Sequence, residues 1–189
     1  MKIALYFGSF NPIHHGHLII ASTILDQYYF DKLWFVISPR NPLKTQSSLL
    51  SEYHRKYLVD LAIEGEKRLK SSTVEFNLPK PSYTIDTMTY LEEQYPNDTF
   101  TIIIGSDSYM NIKQWKNSEI LLKKYPVIIY SRPGYEISGD IPSTVSILKT
   151  PLIEISSTGI REMIKKKKSI KFFVPDLVKE EIDRNHYYS

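Results

Sequence analysis

The sequence predicts an α/β fold built on a doubly wound parallel sheet. Two observations support this prediction. Apolar, β-branched runs alternate along the chain with segments of helical spacing, and the clearest run, Thr99–Ile104, has the composition of a buried parallel strand. The length of 189 residues suits a single domain. We therefore expect one Rossmann-like domain over residues 1–189, with its core over 1–155 and a small helical C-terminal part over 156–189.

The first half of the chain is predicted to contain three strands and three helices. The third helix follows a Pro-bounded loop and is predicted from the spacing of Ile85, Met88 and Leu91, which places apolar groups on one side. The predicted elements are, in order, a strand at Lys2–Phe7, a helix at His15–Tyr29, a strand at Leu33–Ser38, a helix at Ser51–Glu64, a strand at Thr73–Phe76 and a helix at Ile85–Gln94.

The second half is predicted to complete the sheet and then to become helical. After the strand Thr99–Ile104, we expect a helix at Ile120–Lys124 and a strand at Val127–Tyr130. A loop rich in Gly, Pro and Ser follows over residues 131–143. Two further helices are expected, one after Ser157-Thr158 and one after Val174-Pro175-Asp176.

Composition and charge exclude several classes of protein. Because the chain has no cysteine, disulfides and thiolate metal sites are excluded. No apolar run approaches the roughly 20 residues that cross a bilayer, and the first residues lack a secretory pattern. We therefore expect a cytoplasmic protein with no membrane partner. The net charge of +3 suits anionic nucleotides but is too small to predict a nucleic-acid partner.

The turn after the first predicted strand carries the first group of candidate functional residues. It lies at the carboxyl end of a strand, where open α/β sheets bind ligands. Gly8 allows a sharp turn and a close approach of a ligand. His14 and His17 are three residues apart at the start of a helix, so they can share a face. Gly16 leaves room for a substrate against the backbone, and the N–H groups of the helix start suit a phosphate.

Two imidazoles and a helix start around one phosphate chain suit a reaction whose transition state gathers negative charge. Such a site stabilises that charge and needs no nucleophile of its own. Histidines that only cap or pack a helix are the plain alternative. A zinc site is a second alternative, which the lack of a third ligand nearby disfavours.

A second group of candidate residues begins one of the C-terminal helices, at Ile155–Arg161. Ser157 or Thr158 would cap this helix and leave N–H donors for a phosphate. Arg161, one turn later, would hold phosphate oxygens through the two prongs of its guanidinium. Taken alone, this segment is equally typical of an ordinary helix cap. Together with His14 and His17, it predicts a phosphate site.

Both groups resemble segments of known enzyme families. His14-His15-Gly16-His17 is similar to the H-x-G-H motif of a nucleotidyltransferase superfamily, and Ile155–Arg161 is similar to the I-S-S-T-x-I-R signature of bacterial adenylyltransferases. The resemblance runs from Met1 to about Ile182. Three further segments resemble the nicotinate mononucleotide adenylyltransferases in particular: Pro39–Lys44, Ser82–Thr87, and Ile104–Ser108 with Trp115.

This resemblance implies an enzyme that transfers AMP from ATP to nicotinate mononucleotide, giving deamido-NAD and pyrophosphate, a late step of NAD biosynthesis. It implies catalytic roles for His14, His17 and Arg161. The residues that it implies for ATP binding are Gly8, Ser9, Phe10, His14, Gly16, His17, Lys44, Gly105, Asp107, Ser157, Thr158 and Arg161. The residues that it implies for the mononucleotide are Ser9, Lys44, Tyr83, Thr84 and Trp115.

Within the mononucleotide set, the resemblance gives Thr84 and neighbouring amides to the nicotinate carboxylate and Trp115 to the pyridine ring. Stacking on Trp115 suits a flat, electron-poor heterocycle. Without the resemblance, Trp115 would be interpreted as a packing residue. Asp107 would be as readily a helix cap as a residue of the adenosine pocket.

The sequence departs from the family pattern at five positions. Asn11 stands where Asp is usual, Leu43 where His is usual, Ser106 where Ala is usual, Met163 where Arg is often found, and Lys167 where a turn Gly is common. The first of these removes a charge near the phosphates, and the Met removes a cation. None of the five is a predicted catalytic residue, so we expect the chemistry to be retained.

The run Lys165–Lys168, followed by Lys171, is the only low-complexity stretch. A solvated helix end explains it, because lysines suit a helix C-terminus. A contribution to attracting ATP is the functional alternative. An RNA-binding patch would need exposed aromatic side chains among the lysines, and we expect Phe172 and Phe173 to lie in the core.

The expected mechanism is a direct in-line displacement at the α-phosphorus of ATP. No serine has the setting of an activated nucleophile, so we expect no covalent intermediate. Because no carboxylate cluster is apparent, we expect no metal held by the protein, and magnesium would arrive with ATP. The oligomeric state, including a homo-oligomer, stays open.

Several other functions stay open at this point. Phosphopantetheine adenylyltransferases share a G-S-F-x-P start, but their substrate has no pyridine ring for Trp115. A cytidylyltransferase is a more distant alternative. A tRNA synthetase fragment is disfavoured because no second Lys-Ser-Lys-type loop follows. A nucleotide sensor without turnover would keep the pockets, and it would be excluded if ATP is consumed only when a mononucleotide is present.

Overall fold

Six strands form one parallel sheet, in the order β3-β2-β1-β4-β5-β6. The computed structural model describes residues 1–39, 49–151 and 153–189. The strands are β1 (Lys2–Gly8), β2 (Lys32–Ile37), β3 (Leu69–Ser72), β4 (Thr99–Gly105), β5 (Val127–Tyr130) and β6 (Val145–Leu148). All five pairings between neighbouring strands are parallel. The predicted α/β class with a doubly wound parallel sheet is therefore confirmed.

Seven α-helices and two short 3₁₀ segments connect or follow the strands among the described residues. The 3₁₀ segments are Val74–Asn77 and Ile112–Gln114. The helices are α1 (His15–Gln27), α2 (Glu52–Ala62), α3 (Thr84–Gln94), α4 (Ser106–Met110), α5 (Ser118–Lys124), α6 (Ser157–Lys165) and α7 (Asp176–Asn185).

The two faces of the sheet bury two separate hydrophobic cores. Successive side chains of a strand point to opposite faces, so Ala4 and Tyr6 of β1 belong to one core and Ile3 and Leu5 to the other. The first core also contains residues of α1, α2, α6 and α7. The second contains residues of α3 and α5. Strands that are buried on both faces explain why their sequences are almost continuously apolar.

The predicted third strand was misplaced by four residues. We expected it at Thr73–Phe76, but β3 is Leu69–Ser72, which pairs with β2 until Ser72 lies beside Val36. The following Val74–Asn77 is a 3₁₀ turn. The β-branched pair at its start suggested a strand, but pairing with the neighbouring strand decides strand position more strongly than propensity does.

Two elements were not predicted. β6 is a short edge strand that follows the Gly- and Pro-rich loop and pairs with β5. α4 is a single-turn helix directly after β4. Both are short, so neither offers a window long enough for a periodic pattern.

The C-terminal part differs from expectation in its cap and its aromatic residues. Ser156, and neither Ser157 nor Thr158, caps α6, because its Oγ accepts the N–H of Gly159 at 3.1 Å. Phe172 and Phe173 are 82% and 37% exposed, so their expected place in the core was wrong. Lys167, at the position of a common turn glycine, has φ 52°, the left-handed conformation that glycine adopts most easily.

The order of the strands indicates where a ligand would bind. The chain runs outward from β1 through β2 to β3 and then returns to β4 on the other side of β1. In open α/β sheets, ligands bind at the carboxyl ends of the strands where the order reverses. The loops after β1 and β4 lie at this point.

Candidate active site

The loop after β1 is fixed by a buried aromatic ring. Phe10 has φ 46°, and its ring packs 5.5 Å from the ring of Tyr6 and 5.3 Å from that of Phe35. A Cβ on Gly8 would lie 2.8 Å from the Phe10 ring, so only glycine fits there. Phe10 as a whole is 1% exposed, so its predicted part in ATP binding stays a prediction.

His14 and His17 form a stacked pair at the start of α1. Their ring centroids are 3.7 Å apart and their planes are 25° from parallel. Both are buried, at 3% and 7% exposure. A Cβ on Gly16 would lie 3.0 Å from two atoms of the His14 ring. The glycine between the histidines is therefore needed to accommodate His14, in addition to the predicted room for a substrate.

His14 is a neutral imidazole at physiological pH. Its burial, and after that the charge of Arg132, lower the pKa of His14 from 6.5 to about 3. Its Nδ1 atom is buried and has no hydrogen-bond partner among the described residues. His14 can therefore donate or accept a hydrogen bond in the site, but it does not carry a positive charge.

A cavity of about 280 Å³ opens beside the histidine pair. Ser156, the cap of α6, lies on its wall, so the start of α6 faces the same space as the start of α1. Two helix starts place their positive dipole ends toward the cavity. The residues that line it are His14, Gly16, His17, Ile20, Tyr130, Ser131, Arg132, Pro133, Tyr135, Thr150, Pro151, Ile153, Glu154, Ile155 and Ser156.

One N–H group at the start of α1 is already occupied. The N–H of His15 donates to the carbonyl of Phe173 at 2.9 Å. The segment between α6 and α7 therefore covers part of this helix start, and fewer α1 donors face the cavity than the sequence suggested.

Arg132 is a cation of this cavity that the sequence analysis missed. It follows β5 directly, its Nε lies 3.4 Å from Oδ1 of Asp107, and its Nη2 donates to the hydroxyl of Tyr130 at 3.2 Å. A Cβ on Gly105 would clash with the Asp107 carboxylate, so that glycine permits the pair. The position of Arg132 at the carboxyl end of a parallel strand was a signal that could have identified it.

Arg161 connects α6 to the loop after β1 through a hydrogen bond. Its Nη1 donates to the carbonyl of Asn11 at 2.8 Å, and its Nη2 donates to Oγ1 of Thr158 at 3.2 Å. Ser157 makes a second hydrogen bond between these two segments, because its Oγ donates to the carbonyl of Pro12 at 2.9 Å. Arg161 is not among the residues that line the cavity beside the histidines. Its role toward phosphate stays a prediction.

Arg55 is a second arginine that the sequence did not single out, and its role is structural. It is completely buried on α2. Its guanidinium donates to the carbonyls of Ser9, Ser38 and Pro39, which belong to the loops after β1 and β2. Arg55 therefore joins the two loops that flank the predicted phosphate site. The predicted ligand Lys44, with Leu43, lies outside the described residues.

Tyr83 and Thr84, two of the predicted mononucleotide residues, lie at the start of α3. Thr84 is the first residue of this helix, and no side chain caps it. Tyr83 and Trp115 pack against the same core. Lys116 joins the two segments, because it is 2.8 Å from the carboxylate of Asp86 and 5.1 Å from the ring centre of Tyr83.

The part of the chain that the structure describes contains no group of three acidic, histidine or cysteine residues that could hold a metal ion. None of the described helices has the length and apolar character needed to cross a membrane.

The chain is similar to known proteins along its whole length. The model of the cytidylyltransferase-like family matches residues 5–163. A relative from Cytophaga hutchinsonii, named probable nicotinate-nucleotide adenylyltransferase, is 45% identical over 100% of this chain and 99% of its own. A relative of the same name from Bacteroides thetaiotaomicron is 40% identical, over 96% of this chain and 91% of its own.

Solved structures confirm the fold. A Plasmodium falciparum nicotinic acid mononucleotide adenylyltransferase complexed with NaAD superposes with a TM-score of 0.85, covering 99% of this chain and 97% of its own at 24% identity. The same protein complexed with APC gives a TM-score of 0.84.

Proposed function

The chain belongs to the cytidylyltransferase-like family and, within it, to the nicotinate-nucleotide adenylyltransferases, and from this premise we propose that it transfers AMP from ATP to nicotinate mononucleotide. The products are deamido-NAD and pyrophosphate, a late step of NAD biosynthesis. The observation that carries the proposal is the stacked pair of His14 and His17, which shares one cavity with Arg132 and the start of α6. This cavity lies where the sheet topology places a nucleotide.

The reaction we propose is a single in-line displacement. An oxygen of the mononucleotide phosphate attacks the α-phosphorus of ATP, and the bond from that phosphorus to the oxygen bridging to the β-phosphorus breaks. The two electrons of that bond leave with pyrophosphate. The attacking phosphate needs no general base because it is already an anion, and the leaving group departs as an anion. The protein therefore has only to position the two phosphates and stabilise the spreading charge.

The low pKa of His14 restricts its role in this step. A group with a pKa of about 3 holds no proton to donate as an acid at neutral pH. In our proposal, neutral His14 and the neighbouring His17 hydrogen-bond to phosphate oxygens, and Arg132 and Arg161 supply positive charge. Magnesium enters bound to the triphosphate and neutralises part of its charge.

The mononucleotide is proposed to bind at the start of α3. Its carboxylate would accept hydrogen bonds from Thr84 and the first backbone N–H groups, and its pyridine ring would stack on Trp115. Oriented donors favour a carboxylate over an amide, because an amide presents N–H groups of its own. Such an enzyme uses dissolved nucleotides, which fits the cytoplasm as its predicted location.

The test is pyrophosphate release from Mg-ATP with three separate acceptors: nicotinate mononucleotide, nicotinamide mononucleotide and phosphopantetheine. We expect rapid release with the first and formation of deamido-NAD, identified by chromatography. Release only with phosphopantetheine would retain the histidine chemistry and overturn the acceptor. If no acceptor leads to pyrophosphate release, the alternative of a nucleotide sensor without turnover is favoured.

A further inference from the structure

A buried carboxylate lies beside the proposed mononucleotide site without a cationic partner. Glu75, in the 3₁₀ turn after β3, is 2% exposed. Burial raises the pKa of Glu75 above its usual value, and hydrogen bonds from side-chain hydroxyls oppose that rise. Among the described residues, no lysine, arginine or histidine forms an ion pair with it. A carboxylate in such a place is costly unless its oxygens are well hydrogen-bonded.

Both oxygens of Glu75 accept hydrogen bonds from hydroxyl groups. Ser82 Oγ donates to Oε2 at 2.8 Å, and Thr87 Oγ1 donates to Oε1 at 3.0 Å, with the Tyr83 carbonyl as a second acceptor at 3.3 Å. The side chain of Ser38 is a third partner. These hydroxyls come from the loop before α3, the first turn of α3 and the end of β2. One carboxylate therefore joins three segments that border the crevice.

The contact to Ser82 affects the start of α3. Serine near a helix start commonly caps it by accepting a backbone N–H. Here the Ser82 hydroxyl is directed to Glu75, and α3 has no side-chain cap. The N–H groups of Asp86 and Thr87 donate to the carbonyl of Tyr83. No described residue accepts from the N–H groups of Thr84 and Ile85, so these two donors of the first turn are not used within the described part of the chain.

We propose that Glu75 is a positioning residue for the mononucleotide end of the site. It holds Ser82 and Thr87 so that the first turn of α3 presents its uncapped N–H donors and the Thr84 hydroxyl to the acid group of the acceptor. The inference rests on the proposed function and adds a residue that does not itself touch the substrate. A carboxyl group suits this place because each of its two oxygens can accept a hydrogen bond, one from Ser82 and one from Thr87.

The first test is Glu75→Gln, which keeps the shape of the side chain and replaces one acceptor oxygen by an NH₂ donor. Only one of the two hydroxyls can then keep its present geometry. We expect KM for nicotinate mononucleotide to rise about tenfold, the cost of one hydrogen bond to a charged group, while KM for ATP stays within about twofold. The matched control is Glu52→Gln, which removes a partly exposed carboxylate paired with Lys80 at 2.9 Å. It should leave both KM values unchanged.

A double-mutant cycle separates positioning from a general loss of structure. If Glu75 acts through Ser82, Ser82→Ala will raise KM for the mononucleotide, and Ser82→Ala with Glu75→Gln will raise it no further than the larger single effect. Calorimetric Kd values for the mononucleotide on the same variants give a second readout that does not need turnover. Equal rises of both KM values, or fully additive effects in the cycle, would overturn the positioning role.

The wild-type enzyme distinguishes failure of this inference from failure of the proposed function. If the unmodified protein neither binds nor turns over nicotinate mononucleotide, the proposed function is wrong and the role of Glu75 falls with it. If the unmodified protein is active and Glu75→Gln matches Glu52→Gln in every constant, only the role of Glu75 is wrong.

Discussion

In our proposal, the two ends of the site recognise anions with different groups. At the ATP end, Arg132 and two buried imidazoles line a cavity beside the start of α6. At the mononucleotide end, the described residues supply the start of α3, the Thr84 hydroxyl and the ring of Trp115. The buried ionisable group behind that second end is the carboxyl of Glu75, which accepts hydrogen bonds from Ser82 and Thr87.

The difference follows from the ligands that each end would bind. A triphosphate with magnesium is a large, strongly charged group, and point charges stabilise it whatever its detailed orientation. A single nicotinate carboxylate must be distinguished from a carboxamide of the same shape. Directed N–H and O–H donors achieve that distinction better than a cation does, because they penalise a ligand that brings its own donors. Substitutions at the ATP end should therefore change the reaction rate. Substitutions at the mononucleotide end should change the preference between acceptors.

The largest expected effect comes from His17→Ala at the ATP end. Loss of one group that stabilises transition-state charge costs on the order of 3 kcal/mol, so kcat/KM should fall about a hundredfold. The ratio of rates with the acid and amide acceptors should not change. His186→Asn is the control, since it replaces an exposed histidine whose left-handed conformation asparagine tolerates. Near-normal turnover by His17→Ala would remove this histidine from the mechanism.

The next effect is a dependence of stability on pH caused by His14. Its folded pKa of about 3 lies below the ordinary value of 6.5. Between these values the unfolded chain binds a proton that the folded protein does not, so stability falls as pH decreases through this window. From pH 6.5 to 4.5 this group should cost about 2 kcal/mol of unfolding free energy, measured in urea.

His14→Gln should remove that part of the pH dependence, while the exposed control His186→Asn should retain it. An unchanged slope in His14→Gln would mean that His14 titrates normally. It would then be a cation below pH 6.5, and the contrast between neutral His14 and the charged arginines would be lost.

Arg132→Gln tests which group supplies positive charge at the ATP end. We expect KM for ATP to rise about tenfold, because the substitution removes a charge-assisted hydrogen bond. Because Arg132 helps to lower the pKa of His14, the acid limb of the pH–rate profile should also move to higher pH. Arg68→Gln, which removes an exposed arginine 3.5 Å from Glu66, should change neither quantity.

Trp115→Leu tests the mononucleotide end. Loss of a stacking partner should raise KM for nicotinate mononucleotide about tenfold, since base–aromatic stacking contributes about 1–3 kcal/mol. KM for ATP should remain constant. Trp115→Phe keeps an aromatic face and should restore most of the affinity. Equal losses in the Leu and Phe variants would show that Trp115 is only a packing residue.

The smallest effect is expected outside both ends, at Lys167. A non-glycine residue in the left-handed region costs about 1 kcal/mol, so Lys167→Gly should raise Tm by about 2–4 °C. Lys168→Gly, one residue further and without a positive φ, should lower Tm or leave it unchanged. Kinetic constants should not change in either variant. A change in KM for ATP would instead support the alternative that the lysine run attracts ATP.

The sequence brought some residues of the proposed site together by spacing and could not bring others together. Gly8, His14 and His17 were identified because they follow one another along a single strand-to-helix turn, where spacing alone predicts proximity. The contacts of Arg132, Arg55 and Glu75 could not be read from spacing. Arg55, for example, reaches a carbonyl 46 residues away.

Contacts of this kind depend on the topology of the sheet, which local spacing does not reveal. The position of β3 depends on topology in the same way. Its position depends on where pairing with β2 ends, which no local propensity encodes. Once the strand order is known, Arg132 becomes a natural candidate because it begins the loop after β5. Glu75 would still have been overlooked, because a buried carboxylate that binds hydroxyl groups has no sequence signature.

The central claim is that donors at the start of α3 select nicotinate mononucleotide as the acceptor of AMP. The most direct test is kcat/KM for nicotinate and nicotinamide mononucleotide, measured on the wild-type enzyme at saturating Mg-ATP. The account predicts a preference for the acid of at least about tenfold, as expected when a site built for hydrogen-bond acceptors meets a ligand with donors. Equal values for the two acceptors would contradict it.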